Sequence, residues 1–358
     1  MGDLGQIAIV GPRFDVMDDS QIKRAVERSD VVINLIGAKF ENWNWKFDHV
    51  NHRIAERIAR CTKEVGAAQQ FIQVSPIGAD PASTSERLRT KALGDAAVRS
   101  HIPDATIVRA APVVGEEDTF VNDFLSQARR EAPTAPAASR PRGDLSPPLL
   151  QITARRVFMI DGGRRRVQPV WAKDVADGLV RLIDNPRLRG QTLYFGGPET
   201  YTEWDFVGRM QDEMRVFDRR IDIPKALAML SVKPYQFVRN RFPLPIALHP
   251  VFGTVEDVEE RTIDMVVPEG EAAPSAARGA GRAGGQAACL FSPVREEKKT
   301  RFAIAGAPGF QDLGLSPRNI LESHVIDFIR FYRDGGYEFG ERVGKISGSR
   351  HAAQAGPQ

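Results

Sequence analysis

The chain of 358 residues is 42% hydrophobic and 27% charged, with 49 Lys and Arg against 46 Asp and Glu and a formal net charge of +3. That length supports one large or two ordinary domains with a real core. The two signs of charge are interleaved, which excludes the basic stripe of a nucleic-acid binder, so no nucleic-acid partner is expected. The cysteines, Cys61 and Cys289, are too few and too far apart for a disulfide framework or a zinc site, and fit a reducing compartment. No apolar run reaches transmembrane length. The first six residues carry neither a signal peptide nor an Arg-rich presequence.

Gln6 to Val10 reads as a short strand. Asp18, Asp19 and Ser20 open a helix striped by Ile22, Ala25 and Val26, with the acids at its positive end. Asp30 to Gly37, DVVINLIG, is a short continuous apolar run closed by glycine. Such a run predicts a strand buried on both faces, central in a parallel sheet. A polar-aromatic loop from Lys39 to Asp48, with Trp43 and Trp45, precedes a helix over Val50 to Val65. Phe71 to Ser75 is a strand, Arg87 to Ser100 a helix and Thr106 to Arg109 a strand. This alternation predicts βαβ units and an α/β, Rossmann-like parallel sheet.

Asn122 to Arg130 reads as helix, and the Pro/Ala/Ser/Arg-rich stretch after it as a surface or disordered insertion. Strands are expected at Val157–Ile160, Val167–Trp171 and Gln191–Phe195, with helices over Ala172–Asp184 and Thr202–Val216. Between Ile221 and Pro250 aromatic, proline and basic residues mix. This is a surface suited to a protein partner or a membrane face; the alternative is a helical hairpin packed on its own domain. Glu269 to Gln286 is Ala/Gly/Arg-rich low complexity, and Phe310 to Tyr337 regains helical spacing. The expected division is a Rossmann-like domain over 1–130, an insertion over 131–155 and a smaller C-terminal α+β/helical domain over 156–265. A low-complexity segment (266–300), a helical segment (301–340) and a tail (341–358) follow.

Ligands of parallel α/β sheets lie beyond the carboxyl ends of the strands. That rule assembles a nucleotide wall from Asp15 and Val16 after the first strand, Asn34, Leu35, Ile36 and Gly37 after the second, and Ser75 after the third. Lys91 on the next helix, and Arg109 to Gly115 with Ala111 and Val113, complete it. Each has a plainer alternative: Asp15 as a turn residue, Ser75 as a turn hydroxyl, Lys91 as a solvated charge. The six histidines show no metal-ligand grouping, His49 and His52 being the nearest pair.

The motifs VVINLIG (31–37), FIQVS (71–75), LRTKALGDAAVR (88–99), GEEDTFVNDF (115–124) and VQPVWAKDVADGLV (167–180), with Gly197–Tyr201 and Asp312–Gly314, carry a resemblance across most of the chain. It resembles the atypical extended short-chain dehydrogenases/reductases, and among them the nucleotide-binding accessory subunits of mitochondrial respiratory complex I, the alpha-subcomplex subunit 9 type. The resemblance implies a subunit on the matrix side of the mitochondrial inner membrane, partnered by other complex I subunits, with NADPH as a structural cofactor. Two departures bear on this. No G-x-G-x-x-G follows a strand near the N-terminus, so the sheet is expected to be N-terminally truncated relative to the family, with its pyrophosphate cradle missing and NADPH bound poorly. In the reductases' Tyr-x-x-x-Lys arrangement the tyrosine is general acid/base. Lys91 matches the lysine, but Arg87 stands at the tyrosine position, and a permanently cationic arginine cannot exchange a proton near neutral pH. The expectation is a non-catalytic subunit. The alternatives are an active NAD(P)-dependent reductase, epimerase or dehydratase, and a dinucleotide sensor with a soluble partner.

Overall fold

The computed structural model describes residues 14–115, 118–128, 156–214, 219–241, 251–268 and 308–321. Helix α1 (Asp19–Val26) starts where Asp18 caps it, its carboxylate accepting from the Ser20 amide. Strand β1 (Val31–Asn34) follows. A π-helical turn, Asp48–Arg53, runs into α2 (Ile54–Val65). Then come β2 (Gln70–Pro76), α3 (Glu86–His101), β3 (Thr106–Ala110), β4 (Val113–Val114) and α4 (Phe120–Ala128).

The second half opens with β5 (Arg156–Ile160), β6 (Arg166–Val167), β7 (Val170–Trp171) and α5 (Ala172–Ile183). It continues with β8 (Thr192–Phe195), β9 (Tyr201–Thr202) and α6 (Glu203–Met214). The last elements are β10 (Arg219–Ile223), α7 (Lys225–Arg241) and α8 (Val255–Glu260).

The main sheet is parallel in the order β1-β2-β3-β8, with Val32 opposite Phe71, Val74 opposite Val108 and Val108 opposite Leu193. The parallel α/β expectation holds, and one detail of it is corrected. Strand β1 is not buried on both faces: it is the edge strand among the described residues, with Val31 and Val32 half-buried and Ile33 exposed. Its apolar run reports strand propensity, not the number of neighbours it has. Beside the sheet, β5 pairs with β10 and β4 with β7 in parallel, and β6 with β9 antiparallel.

The buried side chains form three clusters. One joins Ile72, Val108 and Leu193 of the sheet to Val175 and Leu182 of α5. In it Phe195 stacks on Phe310 at 4.3 Å between ring centroids. A second sets Ile22 and Val26 of α1 against Ile58, Phe71 and Val98. The third packs Met229 and Val232 of α7 and Val258 of α8 on Phe158 and Ile160 of β5. The expected strand at Gln6–Val10, the 131–155 insertion, residues 242–250 and 269–300, and the helix expected beyond 321 lie outside the described residues.

Gly94 sets how closely α3 can approach the π-helical turn before α2. A β-carbon there would stand 2.2 Å from the Asn51 carbonyl oxygen, a backbone atom that cannot swing aside. Gly94→Ala gains about 1 kcal/mol of helix propensity. Forcing the two segments apart costs more, so the net expectation is a loss of roughly 1–3 kcal/mol. A urea midpoint equal to or above that of the parent would contradict this packing.

Candidate functional site

The carboxyl end of β1 is shaped by Asn34. Its side-chain amide donates to Gln73 Oε1 on β2 at 2.8 Å, and its Oδ1 accepts from the Ile36 amide at 3.1 Å. The turn so fixed presents the Ile36 carbonyl to Lys91, whose Nζ donates to it at 2.6 Å. Gly37 leaves room for the lysine: a β-carbon there would lie 2.8 Å from Lys91 Nζ and push its ammonium aside. Asn51, fully buried in the π-helical turn, ties the same loop to α3. Its Oδ1 accepts from the Ala38 amide, and its Nδ2 donates to Thr90 Oγ1. Sequence reasoning passed over Asn51, because helical periodicity registers its apolar neighbours and not a polar side chain turned inward.

Lys91 is 7% exposed, and burial pushes its ammonium down to about 8, against the pull of Asp95 and with the repulsion of Arg87. Asp95 is moved the other way: burial raises its carboxyl, opposed by Arg109 at 2.8 Å and by the Ser75 hydroxyl, which donates to it. Ser75 thus borders the crevice but spends its hydroxyl on the core side.

A cavity of about 380 Å³ opens beyond the ends of β2 and β3, bordered by Ser75, Ala111, Val113, Lys39, Arg87 and Glu260. Its floor is charged. Arg87 Nε donates to Glu260 Oε1 at 2.6 Å, and Arg87 Nη2 to Glu260 Oε2. The Glu86 amide donates to Glu256 Oε2 at 2.8 Å, and Ser85, which caps α3, lies within hydrogen-bonding reach of both carboxylates. The positive end of the α3 dipole is therefore closed by two acids from α8. Behind them Arg165 pairs with the fully buried Glu203 at 2.7 Å and donates to the Glu260 carbonyl, and Arg261 donates to the Phe158 carbonyl. Lys39 pairs with Asp123 at 2.7 Å.

The expected wall residues separate into three groups. Leu35, Ile36, Gly37 and Lys91 meet at the end of β1, with Leu35 66% and Ile36 37% exposed. Ser75, Ala111 and Val113 border the cavity. Asp15 is a turn residue: it is exposed, and its carboxylate accepts from the Met17 amide at 2.8 Å. Val16 is half-buried against the cluster around α1 and α2. The α8 carboxylates were not singled out in the sequence. A local signal existed in the Thr254-x-x-Asp257 capping box that marks the helix, and Glu256 and Glu260 fall one turn apart on it.

Against a dinucleotide, these residues fit one end. Leu35 to Gly37 offer an apolar edge for base and ribose, and Lys91 a cation beside it. Among the described residues no helix opens on a glycine-rich turn, so no chain group is assigned to the pyrophosphate.

No family model matches the chain. The alpha subcomplex subunit 9 of mitochondrial NADH dehydrogenase (ubiquinone) from Arabidopsis thaliana is 30% identical over 344 residues, 96% of this chain and 70% of that protein. The chain belongs to this family. The subunit 9 relative from Mus musculus is 36% identical over 207 residues, 58% of this chain and 48% of the relative. The 40 kDa subunit of NADH-ubiquinone oxidoreductase from Neurospora crassa is 29% identical over 266 residues, 60% of its own length. The chain thus spans from about half to 70% of these relatives. Among solved structures, UDP-glucuronic acid 4-epimerase from Bacillus cereus with NAD is 14% identical, with a TM-score of 0.45 over 59% of this chain and 68% of that one. A score at that level carries no functional weight. Membership in the subunit 9 family rests on the sequence relatives.

Because the folded value for Lys91 lies below that of a free lysine, its charge weakens the fold at pH below about 8. That penalty is relieved as the pH rises from there toward the free-lysine value. In a titration followed by magnetic resonance of isotope-labelled lysine side chains, Lys91 should show a midpoint near 8. A midpoint in the ordinary lysine range, about 10.4, would contradict its burial.

Proposed function

We propose that the chain is a non-catalytic accessory subunit of mitochondrial NADH:ubiquinone oxidoreductase. In this reading it is assembled with other complex I subunits on the matrix side of the inner membrane, and NADPH is held for structure. The observation that carries the proposal is the state of residue 87. Where the reductases that the sequence resembles keep a proton-exchanging tyrosine, this chain has Arg87, spent on a two-pronged pair with Glu260. The nearest other hydroxyls on α3 are engaged too: Thr90 donates to the Glu86 carbonyl, and Ser85 caps the helix. The two hydroxyls nearest Lys91 in sequence are therefore both spent on the helix itself.

Lys91 and the Leu35–Gly37 turn remain suited to one half of a dinucleotide. A ligand held only by the folded state stabilises it by about 2.7 kcal/mol at a hundredfold excess over its dissociation constant. Such stabilisation suits a subunit whose task is to hold a shape. The division into a Rossmann-like part and a smaller C-terminal part belongs to the same proposal.

A second reading, an NAD(P)-dependent reductase or epimerase, is favoured by the cavity beside Ser75 and by Lys91, and is opposed by Arg87. The two are separable in one system. Delivered to the mitochondria of cells depleted of their own subunit 9, the tagged chain should co-migrate with complex I on a native gel. The purified chain should turn over no NADPH with sugar-nucleotide or quinone substrates. Turnover that Lys91→Ala abolishes, or failure to enter the complex, would overturn the proposal.

A further inference from the structure

Helix α7 is apolar on two faces. Its inner face, Ala228, Met229 and Val232, is buried on β5 and in the cluster around α8. Its outer face is no less apolar. Leu227 is 56%, Leu230 73%, Phe237 68% and Val238 41% exposed. Positions 227, 230, 234, 237, 238 and 241 recur at helical spacing, so these side chains share one stripe with Pro234 and Arg241. A helix that is apolar on both faces is one that something covers.

The charge on this helix says what covers it. From Lys225 to Arg241 there are four cations, Lys225, Lys233, Arg239 and Arg241, and no carboxylate. Two of them are used internally. Lys225 pairs with Glu259 at 2.7 Å. Arg239 donates to the Glu41 carbonyl at 2.7 Å and lies 5.5 Å from the Phe40 ring centroid. Lys233 and Arg241 are exposed beside the apolar stripe.

The Arg239 contact brings a second element to the carboxyl end of the helix. The loop it grips carries Phe40, Trp43 and Trp45, which are 41%, 50% and 37% exposed. The loop therefore reaches α7 through Arg239 and Asn240, and its indoles are exposed near the carboxyl end of that helix. A helix stripe of leucine and phenylalanine with flanking cations and no acid, beside a loop of exposed tryptophans whose Glu41 is paired with Lys46, is the composition of a surface that lies in the headgroup region of a bilayer. A nucleic acid would leave the aliphatic side chains without a partner. No described helix is long and apolar enough to cross a membrane, so the contact is with a surface.

We propose that α7 and the Phe40–Trp45 loop form one membrane-surface contact. Leu227, Leu230 and Phe237 rest at the headgroup–acyl boundary of an anionic bilayer, Lys233 and Arg241 lie against lipid phosphates, and Trp43 and Trp45 lie at the interface. The proposal rests on exposed side chains and charge and not on the assignment to complex I, so either can fail alone.

The full chain, Met1 to Gln358, is tested by flotation with vesicles of phosphatidylcholine mixed with phosphatidylglycerol and with vesicles of phosphatidylcholine alone. The parent chain should float with the mixed vesicles and much less with the neutral ones, and added salt should release it. The Leu230→Asp, Phe237→Asp pair and, separately, the Lys233→Glu, Arg241→Glu pair should each weaken binding by about tenfold or more. All four positions are exposed, so the thermal midpoint and circular dichroism of the variants should match the parent. Tryptophan emission should shift to the blue on mixed vesicles, and Trp43→Phe with Trp45→Phe should remove that shift.

No flotation of the parent, equal flotation on neutral vesicles, or variants that float like the parent would overturn the proposal. A concentration-dependent dimer without lipid, abolished by Leu230→Asp, would give the face to a second copy. Loss of complex I incorporation by the same variant in a chain that ignores vesicles would give it to a protein subunit. Either result also overturns the proposal.

Discussion

Two carboxylates from the six-residue helix α8 close the amino end of α3, and the candidate site is arranged around that junction. Glu256 accepts from the Glu86 amide, and Glu260 grips the Arg87 guanidinium. Both acids are largely buried, and their partners lie 170 and 173 residues away in the chain. Removing two opposite charges from water costs about as much as their attraction returns. Removing one partner alone leaves an uncompensated charge, at a cost of roughly 3–5 kcal/mol for a fully buried pair. Arg87 is about a quarter exposed, which places this pair at the lower end. The joint holds α8, and the cluster in which α7 packs, against the helix that also carries Lys91.

The same joint gives two cations of α3 different surroundings. Lys91, one turn beyond Arg87, keeps a cation at the end of β1, where Gly37 leaves room for it and the Ile36 carbonyl holds it. One turn earlier the side chain has become a strut. An enzyme of this resemblance needs both positions mobile enough to exchange a proton and hold a ribose. Here one is committed to packing, while the other is kept beside exposed apolar residues. Under the proposed reading, an arginine tied to Glu260 beside a lysine at an apolar edge suits a structural ligand better than a reacting one.

Much of the fold was legible in the sequence, because apolar runs at Val31–Ile36, Phe71–Val74 and Thr106–Val108 alternate with helices long enough to cover a parallel sheet. How exposed β1 is was not legible, since a run of β-branched residues looks the same with one neighbour or two. Leu35–Gly37 stand out because they follow a strand and Lys91 because it lies on the next helix, and the fold brings them together at the end of β1. Asp15 is exposed, and its carboxylate accepts from the Met17 amide. Ser75 borders the cavity, while the direction of its hydroxyl depends on Asp95, twenty residues on. The Arg87 departure was visible at once, but its meaning was not. The partner of that arginine, Glu260, 173 residues on, arrives only through tertiary folding.

The most direct test of this account is a double-mutant cycle on Arg87 and Glu260, with methionine at each position separately and together, read by urea unfolding of the full chain. The account predicts that each single variant loses stability and that the double variant recovers much of it, with a coupling of about 2 kcal/mol or more. Losses that simply add, to within about 0.5 kcal/mol, would mean that the two side chains do not depend on each other and that Arg87 is not the strut described.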